Sequence, residues 1–239
     1  MTKSPLMKIY TDHYLQAALL SRLAVANGPV RFSELKEDGI ENSLFMYHAN
    51  KLIQRGAIVK NGDGFALTPN GARWINSMNV DMSSANQTVK PLIQFVIHDG
   101  DGNILLSTRK GQLKELLNDY MLPGGLHKSG LTADQNAMRI LEIMFGDSAP
   151  KAQFLSIVES LNVYEDGFVH HSVSHIYSVD ILTGDTPEDN DRFGFEWIKM
   201  ELVTSDSPLF AKSLFVPGFM KKLQDGTLST RDVIISHYN

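Results

Sequence analysis

Positions 140, 143 and 144 pose the first chemical question in this chain of 239 residues. They fall between Pro123-Gly124-Gly125 and Gly146, in a run that reads as a helix. Residues spaced i, i+3 and i+4 project from one helix face. Carboxylates there would converge on one divalent cation, because magnesium takes hard oxygen ligands in near-octahedral geometry. The residues present are Ile140, Ile143 and Met144, which supply no oxygen. Glu142 is acidic, but it points about 100° away from either neighbour on a helix of 3.6 residues per turn, so it cannot substitute. Gly124 and Gly125 either let backbone N–H groups approach an anion or form a plain tight turn.

Val169-His170-His171-Ser172-Val173-Ser174-His175 raises a metal question of its own. On a strand His171 and His175 share one face and His170 takes the other. Four residues at about 3.3–3.4 Å each put the same-face pair about 13–14 Å apart, too far to share an ion. These histidines read as a polar wall, and no metal site is expected.

Strands and a helix must hold these groups. Pro91–His98 and Ile104–Thr108 read as strands around the turn Asp99-Gly100-Asp101-Gly102-Asn103. Tyr120–Gly125 reads as a short strand breaking into the glycine turn. Thr132–Phe145 reads as a helix, N-capped by Thr132 and closed by Gly146. Ala152–Leu161, Phe168–Leu182 and Gly194–Met200 read as strands, the first two joined through Glu165-Asp166-Gly167. Leu209–Leu223 contains a helix broken near Pro217-Gly218. This mixed order implies a sheet with helices on its faces. Ala137 and Leu141 pack on that sheet; with Ile140, Ile143, Met144 and Phe145 the helix is apolar nearly all round, which predicts burial on both sides. Its outer face lines either an apolar-walled pocket or an interface.

The N-terminal third is patterned differently. Asp12–Val25 is a helix with Leu15, Ala18, Leu19, Leu20 and Leu23 on its apolar face. Ser33–Asp38 is a short helix with Ser33 as N-cap, and Asn42–Arg55 is a third, closed by Gly56. His48 reads as a core-side histidine. Ala57–Thr68 carries a hairpin signal around Asn61-Gly62-Asp63-Gly64, followed by a helical piece at Ala72–Ile75. A Ser/Asn-rich joint follows, giving domains at 1–79 and 90–239 with a linker at 80–89.

Hydrophobic residues make up 43% and charged residues 21%, a globular composition. No apolar run is long enough to span a membrane, the start does not read as a signal peptide, and there are no cysteines. A cytoplasmic location is expected. Net charge is −5, distributed as +2 over residues 1–85 and −7 over the rest. The first part thus permits contact with nucleic acid and the second argues against it.

Residues 12–76 resemble the winged helix-turn-helix of ArsR- and MarR-type regulators, chiefly through Ser43–Val59 and Phe65-Ala66-Leu67-Thr68-Pro69-Asn70-Gly71. The resemblance implies a third helix entering the DNA major groove. It would place Asn42, Ser43, Met46, Tyr47 and Asn50 near bases or phosphates and Lys51, Lys60 and Asn61 on the backbone. Asn can read adenine, but this helix face has no Arg to read guanine. The alternative is a protein-interaction or dimerisation module.

Residues 88–225 resemble the Nudix fold, whose box runs G-x5-E-x7-R-E-U-x-E-E-x-G-U, with U a bulky aliphatic. With Gly125 first, Arg139, Leu141 and Gly146 fall on their landmarks. Leu131, Ile140, Ile143 and Met144 replace the four glutamates. Nudix enzymes, as the resemblance has it, cleave nucleoside diphosphate derivatives with divalent ions, so the usual hydrolysis is lost or severely weakened. Arg109 and Lys110 then stand where the family clamps a ligand phosphate, or are solvated charges at a strand end. Ligand-binding candidates are Arg109, Lys110, Gly124, Gly125, Arg139 and His171.

The expected fold is α+β in two domains, a winged helix of three helices plus a β-hairpin wing and a Nudix-like α/β/α sandwich with a mixed sheet. The expected function is a homodimeric DNA-binding regulator whose degenerate domain senses a nucleotide-type or sugar-type small ligand, without cofactor. Two alternatives stand beside it. One is a Mg2+-dependent Nudix hydrolase with a displaced acidic set, Glu142, Glu159 and Glu165; the other is a protein-interaction scaffold.

Overall fold

The computed structural model describes residues 13–77, 89–112, 120–164, 169–181, 185–210 and 215–238. Asp12, Glu165 and nearly all of the expected linker lie outside these. The chain divides into two compact units. One is Met1–Gln87 together with Lys110–Asn118, and the other is Thr88–Arg109 with Asp119–Asn239. The described residues just after Arg109, 110–112, group with the N-terminal unit. Among the described residues no helix is long and apolar enough to cross a membrane.

In the first unit, α1 (Tyr14–Val25) starts where His13 Nδ1 accepts from the Leu15 N–H. Its buried leucines, 15, 19, 20 and 23, recur at helical spacing. Strand β1 (Val30–Arg31) leads directly into α2 (Phe32–Leu35). The second helix is therefore shorter than expected and Ser33 is not its N-cap. Arg31 holds that position, committed to the β1–β3 ladder, without a side-chain cap. Helix α3 spans Asn42–Gln54, and His48 on its inner face is buried, within 3.1 Å of Gln16 Nε2 and stacked on His13. Strands β2 (Ile58–Asn61) and β3 (Gly64–Leu67) pair around a two-residue loop, Gly62-Asp63, where Gly62 takes a φ of +58°. Helix α4 (Pro69–Ser77) closes the order. Leu20, Leu23, Leu35, Phe45, Leu52 and Trp74 form its core.

The second unit is built on a mixed sheet. Its strands are β4 (Lys90–His98), β5 (Asn103–Arg109), β6 (Tyr120–Met121), β7 (Gly124–Leu126), β8 (Gln153–Tyr164), β9 (Val169–Asp180), β10 (Phe193–Lys199) and β11 (Arg231–Tyr238). The order is β10-β5-β4-β9-β8-β11, with β6 on β5 and β7 on β4. The pairs β4–β9 and β8–β11 are parallel and the other neighbours antiparallel. Helix α5 (Ala133–Phe145) packs on one face over Ile93, Phe95, Ile97 and Leu105. Helix α6 (Phe215–Gln224) packs on the other over Val96, Ile104, Val158 and Ile176. The result is an α/β/α sandwich. Pro217 does not break α6, because it sits in the first turn, where its missing N–H has no intrahelical acceptor to lose. Strand β11 has no counterpart in the sequence reading. It is an edge strand, and Val233 and Ile235, both exposed, alternate with buried Ile234.

Candidate functional site

The glycine turn and α5 are held together chiefly by backbone contacts. Strands β4 and β5 pair only at Ile97–Leu105 and His98–Ile104, and then β7 takes the place beside β4. There Gly124 lies so close that a Cβ on it would stand 2.1 Å from the Ile93 carbonyl oxygen. The glycine is required by this approach of two backbones. Gly125 lies under Ile140, whose Cδ1 would be 3.4 Å from a Cβ at that position. A capping box starts α5: the Gln135 N–H donates to Thr132 Oγ1 (3.2 Å) and the Thr132 N–H to Gln135 Oε1 (2.9 Å). Gly146 ends it with a φ of +61°. Arg139 braces the helix to β7, donating to the Leu126 carbonyl at 3.3 Å and to Asn136 Oδ1 at 3.4 Å. Asn136 is fully buried and ties down the preceding loop through Lys128 and Thr132.

Burial on both sides of α5 is overturned. Ala137, Ile140 and Leu141 are buried, whereas Ile143 is 72% and Met138 63% exposed. Positions 140, 143 and 144 are therefore divided: Ile140 is inside, Met144 half-buried and Ile143 outside, with Glu142 exposed. An α-helix on one flat sheet buries only one stripe, whatever the opposite stripe contains.

A polar group assembles instead on the α6 face, where β4 begins. Register sets Lys90 opposite Ser172, with His170 two residues earlier on β9 and opposite Asn162 of β8. Ladder partners share a face, so Lys90, His170, Ser172, Ser160 and Asn162 point the same way. The two serine hydroxyls are 2.7 Å apart, as this arrangement requires. Arg109 ends β5; its guanidinium meets Met121 Sδ at 3.1 Å and lies 6.0 Å from the centre of the Phe193 ring. Burial, reinforced by Arg109, lowers the Lys90 ammonium to about 8. Burial, with Lys90, Arg109 and His171, lowers His170 to about 4. Both His170 ring nitrogens are buried and lack a hydrogen-bond partner. Lys90 and His170 were missed in the sequence. Alternation put His170 opposite His171, but only pairing with β4 brings it beside a lysine.

On the opposite face His171 Nε2 contacts Glu159 Oε1 at 2.8 Å. His175 faces His127, ring centres 5.8 Å apart, and burial lowers its pKa ahead of the like charge of His127. The Tyr177 hydroxyl donates to Asp134 Oδ1 at 2.6 Å; burial, then that carboxylate, raise it. Among the described residues no three His, Asp or Glu side chains could hold a metal ion. Arg109 ends a segment of the second unit and Lys110 begins one of the first.

In the first unit Asn42, Ser43, Tyr47 and Asn50 are exposed on α3, and Lys51 Nζ lies 4.8 Å from the Tyr47 ring centre. Lys60 and Asn61 are exposed at the hairpin end. Met46 and Lys51 are half-buried, Met46 against the core.

No protein-family model and no curated protein matches the chain. Among solved structures, the MutT protein of Methanosarcina mazei Go1 is 13% identical with a TM-score of 0.45, covering 61% of this chain and all of that one. The mutator MutT protein of Bacillus halodurans is 15% identical with a TM-score of 0.43, covering 63% of this chain and 91% of that one. A UDP-X diphosphatase is 14% identical with a TM-score of 0.38, covering 97% and 100%. What the molecule's own structure defines is a two-unit α+β protein whose larger unit is an α/β/α sandwich with a mixed sheet.

Proposed function

We propose that the larger unit, Nudix-like in plan, binds a phosphate-bearing small molecule of nucleotide or sugar type without a metal ion, and that the chain is a DNA-binding regulator responding to it. The observation that carries this reading is the half-buried Lys90, which shares a sheet face with His170 at the end of the sheet where Arg109 closes β5. Two cationic side chains in a partly desolvated corner attract an anion more strongly than the same charges in open water. Arginine adds a planar fork that matches phosphate oxygens. The apolar side chains at 140, 143 and 144 support a binding role over metal-dependent hydrolysis. The outward row Asn42, Ser43, Tyr47, Asn50, Lys51, Lys60 and Asn61 supports the DNA-binding part. A symmetric homodimer would read a palindromic site.

Calorimetric titration with pyrophosphate, ADP-ribose and a sugar phosphate in EDTA tests the ligand reading. Saturable binding is expected, weakened about tenfold or more by Arg109→Met, which removes a charge-assisted contact. Equal affinity in that variant would sink the site. Retention of the gene's upstream DNA, lost in Asn50→Ala/Lys51→Ala, tests the other half.

The contact of Glu159 with His171 favours a second reading, because a carboxylate held by an imidazole can serve as a general base. Mg2+-dependent cleavage of ADP-ribose that disappears in Glu159→Gln would establish a hydrolase in place of a sensor.

A further inference from the structure

Strand β3 is the middle strand of the first unit's sheet, and its two edges are satisfied differently. The Thr68 N–H donates to the Ala57 carbonyl at 3.1 Å, just beyond the ladder that sets Ile58 opposite Leu67. Main-chain groups alternate between the two sides of a strand, so Phe65 and Leu67 turn theirs away from β2. On that side β1 supplies Val30 opposite Phe65 and Arg31 opposite Gly64, and it does not reach Leu67. Leu67 is buried, and its N–H is met by a side chain. Gln112 Oε1 accepts from it at 2.7 Å, and Gln112 Nε2 donates to the Gly28 carbonyl at 2.8 Å. A primary amide carries an acceptor and donors on one planar group, so it can take the place of a peptide group beside a strand. The Gln112 N–H also donates to the Ala26 carbonyl at 2.9 Å, past the end of α1, and Gln112 is 4% exposed. Gly111 fits only as glycine: its φ is +62°, and a Cβ there would stand 2.6 Å from the Val25 carbonyl carbon. Residues 110–112 group with the first unit, so all of these contacts lie within it.

A buried amide with both ends satisfied fixes position, and removing it leaves the Leu67 N–H and the Gly28 carbonyl unpaired. Among the described residues β2 pairs only with β3, so the order of β2 follows from that of β3. Strand β2 carries Lys60 and Asn61, both exposed, toward the turn. We infer that Gln112 is a positioning residue for nucleic-acid contact, acting through β3 to hold Lys60 and Asn61 in place. The inference rests on the DNA-binding reading above. A lysine on an ordered hairpin meets a phosphate without first losing the freedom of a loose one, and that saving appears as affinity.

Hydrogen–deuterium exchange on the full chain reads the hairpin without DNA. Gln112→Ala is expected to lower protection across Ile58–Leu67 several-fold while Leu19–Leu23 of α1 stay as protected as before. Gln112→Glu keeps the acceptor for Leu67, and its carboxyl offers an O–H to Gly28 only when protonated. Protection factors in that variant should recover as pH is lowered from about 8 to about 5, because burial raises a carboxyl's pKa, and those of Gln112→Ala should not. Titration with DNA from the gene's own upstream region reads the function. Gln112→Ala should weaken binding several-fold and lower its salt slope by about one, as the loss of one phosphate contact does. In a Lys60→Ala/Asn61→Ala background the same substitution should cost no further affinity, because the contacts it acts through are already gone. Unchanged hairpin protection in Gln112→Ala, or an affinity loss of equal size in both backgrounds, overturns the positioning role and leaves DNA binding standing. Failure of the unmodified chain to bind that DNA overturns the DNA reading and this inference with it.

Discussion

The glycine turn with α5 and the corner where β4 begins make opposite use of their residues. The turn and helix carry a recognisable motif frame, and its landmarks are occupied by backbone tasks. Gly124 lets two backbones touch, Arg139 braces a carbonyl, Gly146 ends a helix and Ile140 seals the core. The corner has no motif, yet Lys90 and His170 share a face there, at the end of the sheet where Arg109 closes β5. The spacing of these residues records what the fold needs from them. Where chemistry resides is set by which side chains strand pairing gathers and how far it desolvates them.

The strongest test of this contrast is Gly124→Ala. With backbone 2.1 Å from the new Cβ, the turn must open, and a loss of about 4 kcal/mol or outright failure to fold is expected in chemical denaturation. A stable Gly124→Ala protein would return the glycine to an anion-binding role. Ile140→Glu should follow at about 3 kcal/mol, because it buries a carboxylate in an apolar cluster. It should confer no Mg2+ binding; a metal-dependent rise in melting temperature would break the contrast by showing that the frame still accepts an ion.

The corner gives a pH signature. Lys90 in the folded chain titrates near 8, below its ordinary 10.5. The unfolded chain therefore holds more protons between these values, and stability rises with pH across that window. A bound anion favours the charged lysine. Its affinity should fall as pH rises through 8, with proton uptake on binding near pH 8.5, measurable in buffers of different ionisation heat. Flat affinity from pH 7 to 10 would remove Lys90 from the site. The smallest effect is expected at Ile143→Glu, within about 0.5 kcal/mol, because that side chain is already in solvent. A larger loss in solution would mark the exposed face as an interface.

Much of the architecture was legible. Alternation located β4, β5, β8, β9 and β10 to within a few residues, and capping residues bounded α5 at Thr132 and Gly146. Those signals are local, set by side-chain period and backbone preference. Strand β11 escaped because an edge strand with exposed Val233 and Ile235 lacks the polar-out pattern. The short α2 escaped because Arg31 serves a ladder that exists only once β3 is in place.

The sequence by itself determined that Ile140, Ile143 and Met144 offer no oxygen on their helix face, because residue type and helical period fix what that face can offer. It also determined where glycine was needed, though not why. Only the tertiary structure decided which of positions 140, 143 and 144 are inside, that His170 shares a face with Lys90, and that the Gln112 side chain bonds the Leu67 N–H. The reason is physical: periodicity acts over a few residues, whereas pairing register and desolvation depend on segments that meet only when the chain folds.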